Sequence, residues 1–187
     1  MLDVYNEILR KKLTEQRYNH SVNVSKKAVY LAKKYGADVK KAEIAGLLHD
    51  ITKNTDEQEQ LQVISEAGLA LSDLEFANKK LWHAVSGAAY LKVKLNIDDE
   101  DILNAVKFHT TGRAGMSLLE KVVFVADMTS ADRTSEESSK VKAIAEENLD
   151  KAVCLTAVSC IEYLTEKFAI IAPNTLAAYN DTVKSFS

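Results

Sequence analysis

The sequence predicts an all-α protein, on three grounds. Apolar residues recur at helical spacing through nearly every segment. No run alternates strictly enough to mark a strand, and there is no glycine-rich phosphate loop and no internal repeat. The boundaries carry helix-end chemistry, with Ser, Thr or Asp ahead of the apolar runs and glycine behind several of them.

In order along the chain, Leu2 to Leu13 makes a first short helix. Thr14 can cap the second, which runs to Tyr35, stops at Gly36 and carries Tyr18, Val24, Ala28 and Leu31 in its apolar stripe. His20 stands four residues before Val24 and shares that inward face, and Arg17 points the same way. Asp38 can cap a third helix through Ala42, Ala45 and Leu48 that delivers His49 and Asp50 at its end. A His-Asp pair emerging from apolar surface is costly unless a hydrogen bond, an ion pair or a metal compensates it. Lys53 follows Asp50 by three residues, so a persisting turn aims its ammonium at whatever the pair holds.

Thr55 with Gln58 reads as a capping box opening a helix with Leu61, Ile64 and Ala67 that ends at Gly68; Ser72 with Glu75 repeats the signal. Leu81 to Leu91 is a helix rich in small residues, with His83 near its beginning, and Trp82 reads as core. Asp98 begins the next helix, where Ile102, Ala105, Val106 and His109 hold one face and turn His109 inward. Thr110-Thr111-Gly112 ends it. Ser117 with Glu120 opens a helix that is apolar almost all round yet carries Asp127, whose carboxylate needs a partner such as Arg133 or Lys121. A charged stretch follows Arg133. Asp150 then caps a long helix with Val153, Ala157, Ile161, Leu164 and Phe168, Pro173 breaks it, and Thr175 to Asn180 forms a short terminal helix.

The 187 residues fit a single domain, with a core over about 15–135 and C-terminal helices over 136–187 packed on it. Hydrophobic content of 47%, 27% charged residues and a lone proline leave no room for a long linker or extensive disorder. A net charge of −3 and a pI near 5.8 give no electrostatic case for nucleic-acid or membrane binding. The pairs Lys26-Lys27, Lys33-Lys34 and Lys40-Lys41 read as a solvated helix face. Cys154 and Cys160 lie well apart around one helix and read as small core residues rather than a chelating pair. The first residues lack the basic start and apolar block of a signal peptide, and no run reaches membrane-spanning length, so a cytoplasmic location is expected. A homodimer is compatible with these features.

Four histidines occur in the chain, His20, His49, His83 and His109, and each interrupts a helical pattern. With Asp50 and Asp127 they form a set suited to divalent transition metals such as iron, manganese, nickel and zinc. Each arises from a separate helix or helix end, and a bundle can converge such side chains. Six candidate ligands exceed the needs of one catalytic ion that must keep an open position, which favours two metals bridged by a carboxylate. Two such metals suit phosphoester or phosphoanhydride hydrolysis. Arg17, Lys53, Thr110, Thr111 and Arg133, beside the ligands, are candidates for phosphate oxygens, the arginines as geometric forks and Lys53 as a point charge.

The order His20, His49-Asp50, Asp127 resembles the HD superfamily of metal-dependent phosphohydrolases. Arg17-Tyr18-Asn19-His20-Ser21, Ala45 to Lys53, His83 ahead of Gly87-Ala88, His109-Thr110-Thr111-Gly112 and Val125-Ala126-Asp127 resemble the bacterial symmetrical diadenosine tetraphosphate hydrolases within it. Pro173-Asn174-Thr175-Leu176 and Tyr179-Asn180 extend the likeness toward the end. The resemblance implies an HD-domain helical bundle with a metal centre between its helices, commonly of iron, cleaving the tetraphosphate to two ADP with a metal-held water. Carried onto this chain, one metal takes His20, His49, Asp50 and Asp127, and the other shares Asp50 and takes His83 and His109. Asp50, Lys53, His83 and His109 then form the catalytic group around a nucleotide substrate. One departure stands out: after the last aspartate such proteins continue with Glu-Pro and then arginine, whereas this chain reads Met128-Thr129-Ser130-Ala131-Asp132-Arg133. The alternatives are an HD nucleotidase or nucleoside-triphosphate hydrolase with another substrate, and a non-catalytic nucleotide-binding signalling module.

Overall fold

The structure, a computed structural model describing residues 2–186, contains α-helices α1 Leu2–Lys12, α2 Glu15–Tyr35, α3 Val39–Leu48, α4 Glu57–Glu66, α5 Asp73–Ala77, α6 Trp82–Leu95, α7 Glu100–Lys107, α8 Leu118–Thr129, α9 Glu136–Ile144, α10 Leu149–Glu166 and α11 Pro173–Val183. A 3-10 turn, Lys79–Leu81, leads into α6, and no strand occurs among the described residues. The all-α expectation holds.

Side-chain caps account for most of the boundaries. Thr14 and Asp38 accept from the first-turn amides of α2 and α3, and Ser72 and Ser117 each complete a reciprocal capping box with Glu75 and Glu120. Three caps fall one or two residues from their expected positions. Asp56 rather than Thr55 caps α4, Asp99 rather than Asp98 caps α7, and Asn148 rather than Asp150 caps α10. Asp150 instead lies in the first turn of α10 and pairs with Lys121 at 2.7 Å.

The C-terminal third departs further. The charged stretch after Arg133 contains α9, capped by Ser135. Helix α10 ends at Glu166, ahead of Pro173, and the proline opens α11 at its first turn, where its missing N–H has no intrahelical partner to lose. Phe168 therefore lies outside α10 and is 99% exposed, not part of its inward stripe.

Helix α2 packs most extensively on α3 and also on α8, while α7 contacts α3, α6 and α8. Val24, Ala28, Leu31, Leu48, Val106, Val122, Val123 and Val125 meet in one fully enclosed core. A side chain of valine or leucine size buried in this way contributes roughly 1.5–3 kcal/mol. A smaller apolar cluster, Val63, Ile64, Val85 and Ala89, fixes α4 on α6. Helix α10 lies against α8, α9 and α11, with Val153 and Ala157 buried. Among the lysine pairs, Lys27 and Lys34 meet Glu146, and Lys41 meets Asp99 and Asp101. Both cysteines are free. Among the described residues, no helix is long and apolar enough to cross a membrane.

Candidate metal centre

The core helices bring all four histidines and both aspartates to one place. His20 comes from α2, His49 and Asp50 from the C-terminal end of α3, His83 from the first turn of α6, His109 from the turn after α7, and Asp127 from the last turn of α8. His20, His49, Asp50, His83 and His109 are all buried, at 0–5% exposure, and Asp127 is half-buried. The imidazoles form an edge-on row from His20 through His49 and His109 to His83, with neighbouring centroids 5.2, 4.9 and 5.1 Å apart.

Each ring is held from its outer side. Nδ1 of His49 donates to the Gly46 carbonyl at 2.8 Å, Nδ1 of His83 to Lys80 at 2.8 Å and Nδ1 of His109 to Val106 at 2.7 Å. These carbonyls lie three residues back, so the helical turn itself sets the tautomer and leaves Nε2 as the lone-pair nitrogen facing inward. His20 is anchored by a carboxylate instead, its Nδ1 lying 2.7 Å from Asp132 Oδ2. Gly112 allows the turn that carries His109: its φ is +62°, and a β-carbon there would lie 2.9 Å from Ala178 Cβ.

Toward the inside, His83 Nε2 lies 3.2 Å from Asp50 Oδ1 and 3.2 Å from His109 Nε2, and His109 Nε2 lies 3.5 Å from Asp50 Oδ1. His20 Nε2 stands 3.0 Å from Asp127 Oδ1, yet it and His49 Nε2 are buried without a hydrogen bond. Three trios, His20-His49-Asp50, His49-His109-Asp127 and Asp50-His83-His109, each place their ligand atoms within 4.8 Å of one another. Orphaned, buried imidazole nitrogens converging with carboxylate oxygens are the donor set of a divalent transition-metal site, and the residues fit such an ion.

The electrostatics agree. Burial pushes the Asp50 carboxyl up, but His49, His109 and His83 outweigh it and hold that carboxyl well below the usual range. Asp127 is likewise raised by burial and lowered further by His20, His49 and Arg133. Burial lowers His83 to about 4, against the opposing pull of Asp50, so its imidazole stays neutral. Burial also pushes His49 down, but Asp50 wins and raises it. Two ionised carboxylates in a buried cluster call for positive charge of the kind a metal dication supplies.

The polar residues expected beside the ligands are distributed unevenly. Arg17 donates from Nη1 to Asp50 Oδ2 at 2.8 Å, and Arg133 from Nη2 to Asp127 Oδ1 at 2.7 Å. The turn after Asp50 persists, with Lys53 N–H donating to the Asp50 carbonyl at 2.8 Å, and Lys53 Nζ reaches His83 Nε2 at 3.1 Å. Thr110 Oγ1 lies 3.1 Å from His109 Nε2. Thr111 is turned away: its hydroxyl donates to the Gly112 carbonyl at 2.9 Å. Two cavities, of about 590 and 440 Å³, open beside the cluster, the first touching His109 and Asp127 and the second His83.

The sequence pattern of the HD domain matches residues 17–132, which holds every one of these residues except Arg133. The chain is 42% identical over 174 residues to the symmetrical bis(5'-nucleosyl)-tetraphosphatase of Halalkalibacterium halodurans, spanning 93% of this chain and 92% of that one. It is 38% identical over 172 residues to the protein of the same name from Bacillus subtilis, spanning 92% of each. This chain belongs to the HD-domain family. A crystal structure from Clostridium acetobutylicum, described as a predicted HD superfamily hydrolase involved in NAD metabolism, superposes with a TM-score of 0.94 at 36% identity, covering 99% of this chain and 98% of that one.

Within this HD-domain protein, two features of the site escape sequence reading. Asp132 lies in the loop that departs from the Glu-Pro pattern, and its carboxylate binds His20 Nδ1 and accepts from Asn23 Nδ2 at 3.1 Å. An acid was visible five residues after Asp127, but its partner is 112 residues away in sequence. Lys79 and Lys80 line the smaller cavity with Lys53; a pair of lysines ahead of His83 was the one available signal.

Proposed function

We propose that the protein is a metal-dependent hydrolase that cleaves diadenosine tetraphosphate symmetrically to two ADP. The observation that carries this reading is the convergence of four inward Nε2 atoms and two carboxylates, in a chain similar over nearly its whole length to named symmetrical tetraphosphatases. In this reading one ion takes His20, His49, Asp50 and Asp127, and a second shares Asp50 and takes His83 and His109. The two trios that share Asp50 support that division. We assign iron as the metal; manganese, nickel and zinc suit the same nitrogen and oxygen donors.

When bound, such ions anchor phosphate oxygens and activate the attacking water. The chain's own groups set the geometry around them. Helix-turn carbonyls fix the imidazole tautomers, so the ligands need no reorganisation. Arg133, exposed beside Asp127, offers its remaining guanidinium N–H groups to phosphate oxygens, and Thr110 offers a hydroxyl. Lys53 acts as a point charge between the cluster and the smaller cavity. Arg17 orients Asp50 and reaches phosphate from there, and Thr111 contributes through the turn it stiffens. Water adds to an inner phosphorus, the central P–O bond breaks, and ADP departs. The nucleotide substrate is consistent with action in the cytoplasm. A second reading, hydrolysis of another nucleotide, rests on the stretch Met128 to Arg133, which keeps the arginine but has no Glu-Pro.

A turnover screen on protein loaded with iron or manganese under reducing conditions tests this. Diadenosine tetraphosphate is offered beside nucleoside triphosphates and other dinucleotides. ADP as sole product supports the proposal, and ATP with AMP overturns the symmetrical cut. Faster turnover of another nucleotide supports the second reading. Nucleotide binding without turnover at full metal occupancy points to a signalling module.

A further inference from the structure

His109 differs from the other three histidines in what holds its backbone. His20 and His83 lie within α2 and α6, and His49 stands at the C-terminal cap of α3 with a helical φ of −55° and ψ of −36°. Helix α7 ends at Lys107, and its cap Phe108 leaves the helical region with φ of −107° and ψ of 8°. His109 therefore opens the connection to α8, which begins at Leu118. The Nδ1 bond to the Val106 carbonyl orients the ring, but the backbone beneath it is not held by helical period, so the connection itself must hold it.

That connection is gripped by two helices. From α8, buried Glu120 makes a two-pronged pair with Arg113, Nε to Oε2 at 2.6 Å and Nη2 to Oε1 at 2.7 Å, and the guanidinium lies 4.8 Å over the Phe108 ring. From α11 come two further contacts. Gly112, at φ of +62°, packs so closely on this helix that a β-carbon would lie 2.9 Å from Ala178 Cβ. Gly115, at φ of +65°, donates its N–H to Asp181 Oδ2 at 2.8 Å. Ala178 and Asp181 stand three residues apart, so one face of α11 meets both glycines. The Gly112 N–H in turn donates to the Phe108 carbonyl at 2.8 Å, which carries the contact back to the residue before His109. Among the helices α11 packs chiefly on α10, and it supplies no group to the metal cluster.

We propose that α11 is a latch for His109, with Asp181 as its positioning residue and Ala178 as the surface that Gly112 packs on; together they hold the Gly112–Gly115 turn and so set where the His109 imidazole meets Asp50 and His83. This rests on the reading of the cluster as a two-metal site. It makes the ion assigned to Asp50, His83 and His109 depend on the C-terminal helix, whereas the ion assigned to His20, His49, Asp50 and Asp127 does not. His109 Nε2 lies 3.2 Å from His83 Nε2 and 3.5 Å from Asp50 Oδ1, and a site of this kind is loosened by a displacement of about 1 Å. Asp181 is exposed, so its removal leaves the core packing intact.

The first measurement uses the full-length, metal-free chain, in which long-range proton–nitrogen NMR spectra report the four imidazoles separately. His109 is assigned by the loss of its signals in His109→Gln. Asp181→Ala is expected to shift or broaden the His109 signals and to leave those of His20 in place. Asp181→Asn keeps an acceptor oxygen and is expected to restore most of the original pattern. An unmoved His109, or an equal change at His20, overturns the proposal. The second measurement is manganese binding against a competing chelator. The unaltered protein is expected to take two ions. Asp181→Ala weakens one of them about tenfold and leaves the other within about twofold, the scale on which losing a group that orients a ligand acts. Equal weakening of both ions, or of neither, overturns the proposal. If the unaltered protein takes fewer than two ions, the two-metal reading fails, and the imidazole spectra alone decide whether α11 sets His109.

Discussion

Gly46 on α3 faces the backbone of Ser25 on α2 so closely that a β-carbon at position 46 would lie 3.0 Å from Ser25 Cα and 3.1 Å from Ala28 Cβ. His20 rides on α2 and His49 on the end of α3, so this contact sets the spacing between two of the inward nitrogens. The Gly46 carbonyl also receives the His49 Nδ1 hydrogen bond. Helix packing and the placement of the His49 imidazole therefore meet at one residue.

Gly46→Ala is expected to force the two helices apart. The methyl group meets backbone, which cannot rotate away, and overpacking of this kind costs about 1–3 kcal/mol. Chemical denaturation should read that loss, together with weaker metal binding. Unchanged stability would show that α2 shifts freely against α3.

Asp50→Ala is expected to abolish metal loading and hydrolysis while leaving the helical signal in circular dichroism largely intact. Asp50 joins two of the candidate ligand trios, whereas Asp127 belongs to the third alone. Full metal content in this variant would refute the shared role of Asp50.

Asp132→Ala removes the carboxylate that holds His20 Nδ1 and leaves a half-oriented imidazole. Loss of such an outer partner costs about 10–100-fold in metal affinity. Asp132→Asn retains an acceptor oxygen and is expected to fall between the two. Metal titration against a competing chelator distinguishes them, and equal affinity in all three proteins would remove Asp132 from the site.

The same carboxylate gives a pH dependence. Burial raises Asp132, but the hydrogen bond and charge of His20 lower it further, to about 2. The unfolded chain protonates it near about 4, so its stabilising contribution is complete above that pH and is lost as pH falls through about 2. Acid unfolding of the metal-free protein should show this component, and Asp132→Asn should lack it.

Phe168 ends α10 in the left-handed conformation, with φ of 51°, while Ala169 N–H donates to Leu164 and Phe168 N–H to Thr165. This is the helix-ending motif in which glycine is usual, and Gly68 occupies the corresponding position after α4. The phenyl group is 99% exposed, so its removal sacrifices little packing. Phe168→Gly is expected to stabilise the protein by about 1 kcal/mol in thermal or chemical unfolding. A loss of stability would mean that the ring is engaged in solution.

Much of the architecture was legible because it is local. Periodicity located α2, α3, α6, α7 and α8, and serines and aspartates ahead of them marked where most begin, since capping is a contact over two or three residues. Helix α9 was not legible: its sequence Glu-Glu-Ser-Ser-Lys-Val-Lys-Ala-Ile offers few apolar positions, and Val141 and Ala145 become buried through the neighbours they meet. Sequence alone makes Pro173 a break, whereas in the structure it is a beginning, because the same missing N–H suits the first turn of a helix as well as it ends one.

By itself the sequence determined the helical class, the inward direction of four histidines and two aspartates, and the family resemblance that their order carries. The tertiary structure decided which atoms meet. Convergence of Nε2 atoms from separate helices, the hydrogen bond between His20 and Asp132 across 112 residues, and the two cavities beside the cluster all depend on how α2, α6, α8 and α10 pack. Helical period fixes the direction of a side chain around its own axis, whereas the distance between side chains on different helices is set by the shapes that pack between them, as Gly46 against Ser25 illustrates.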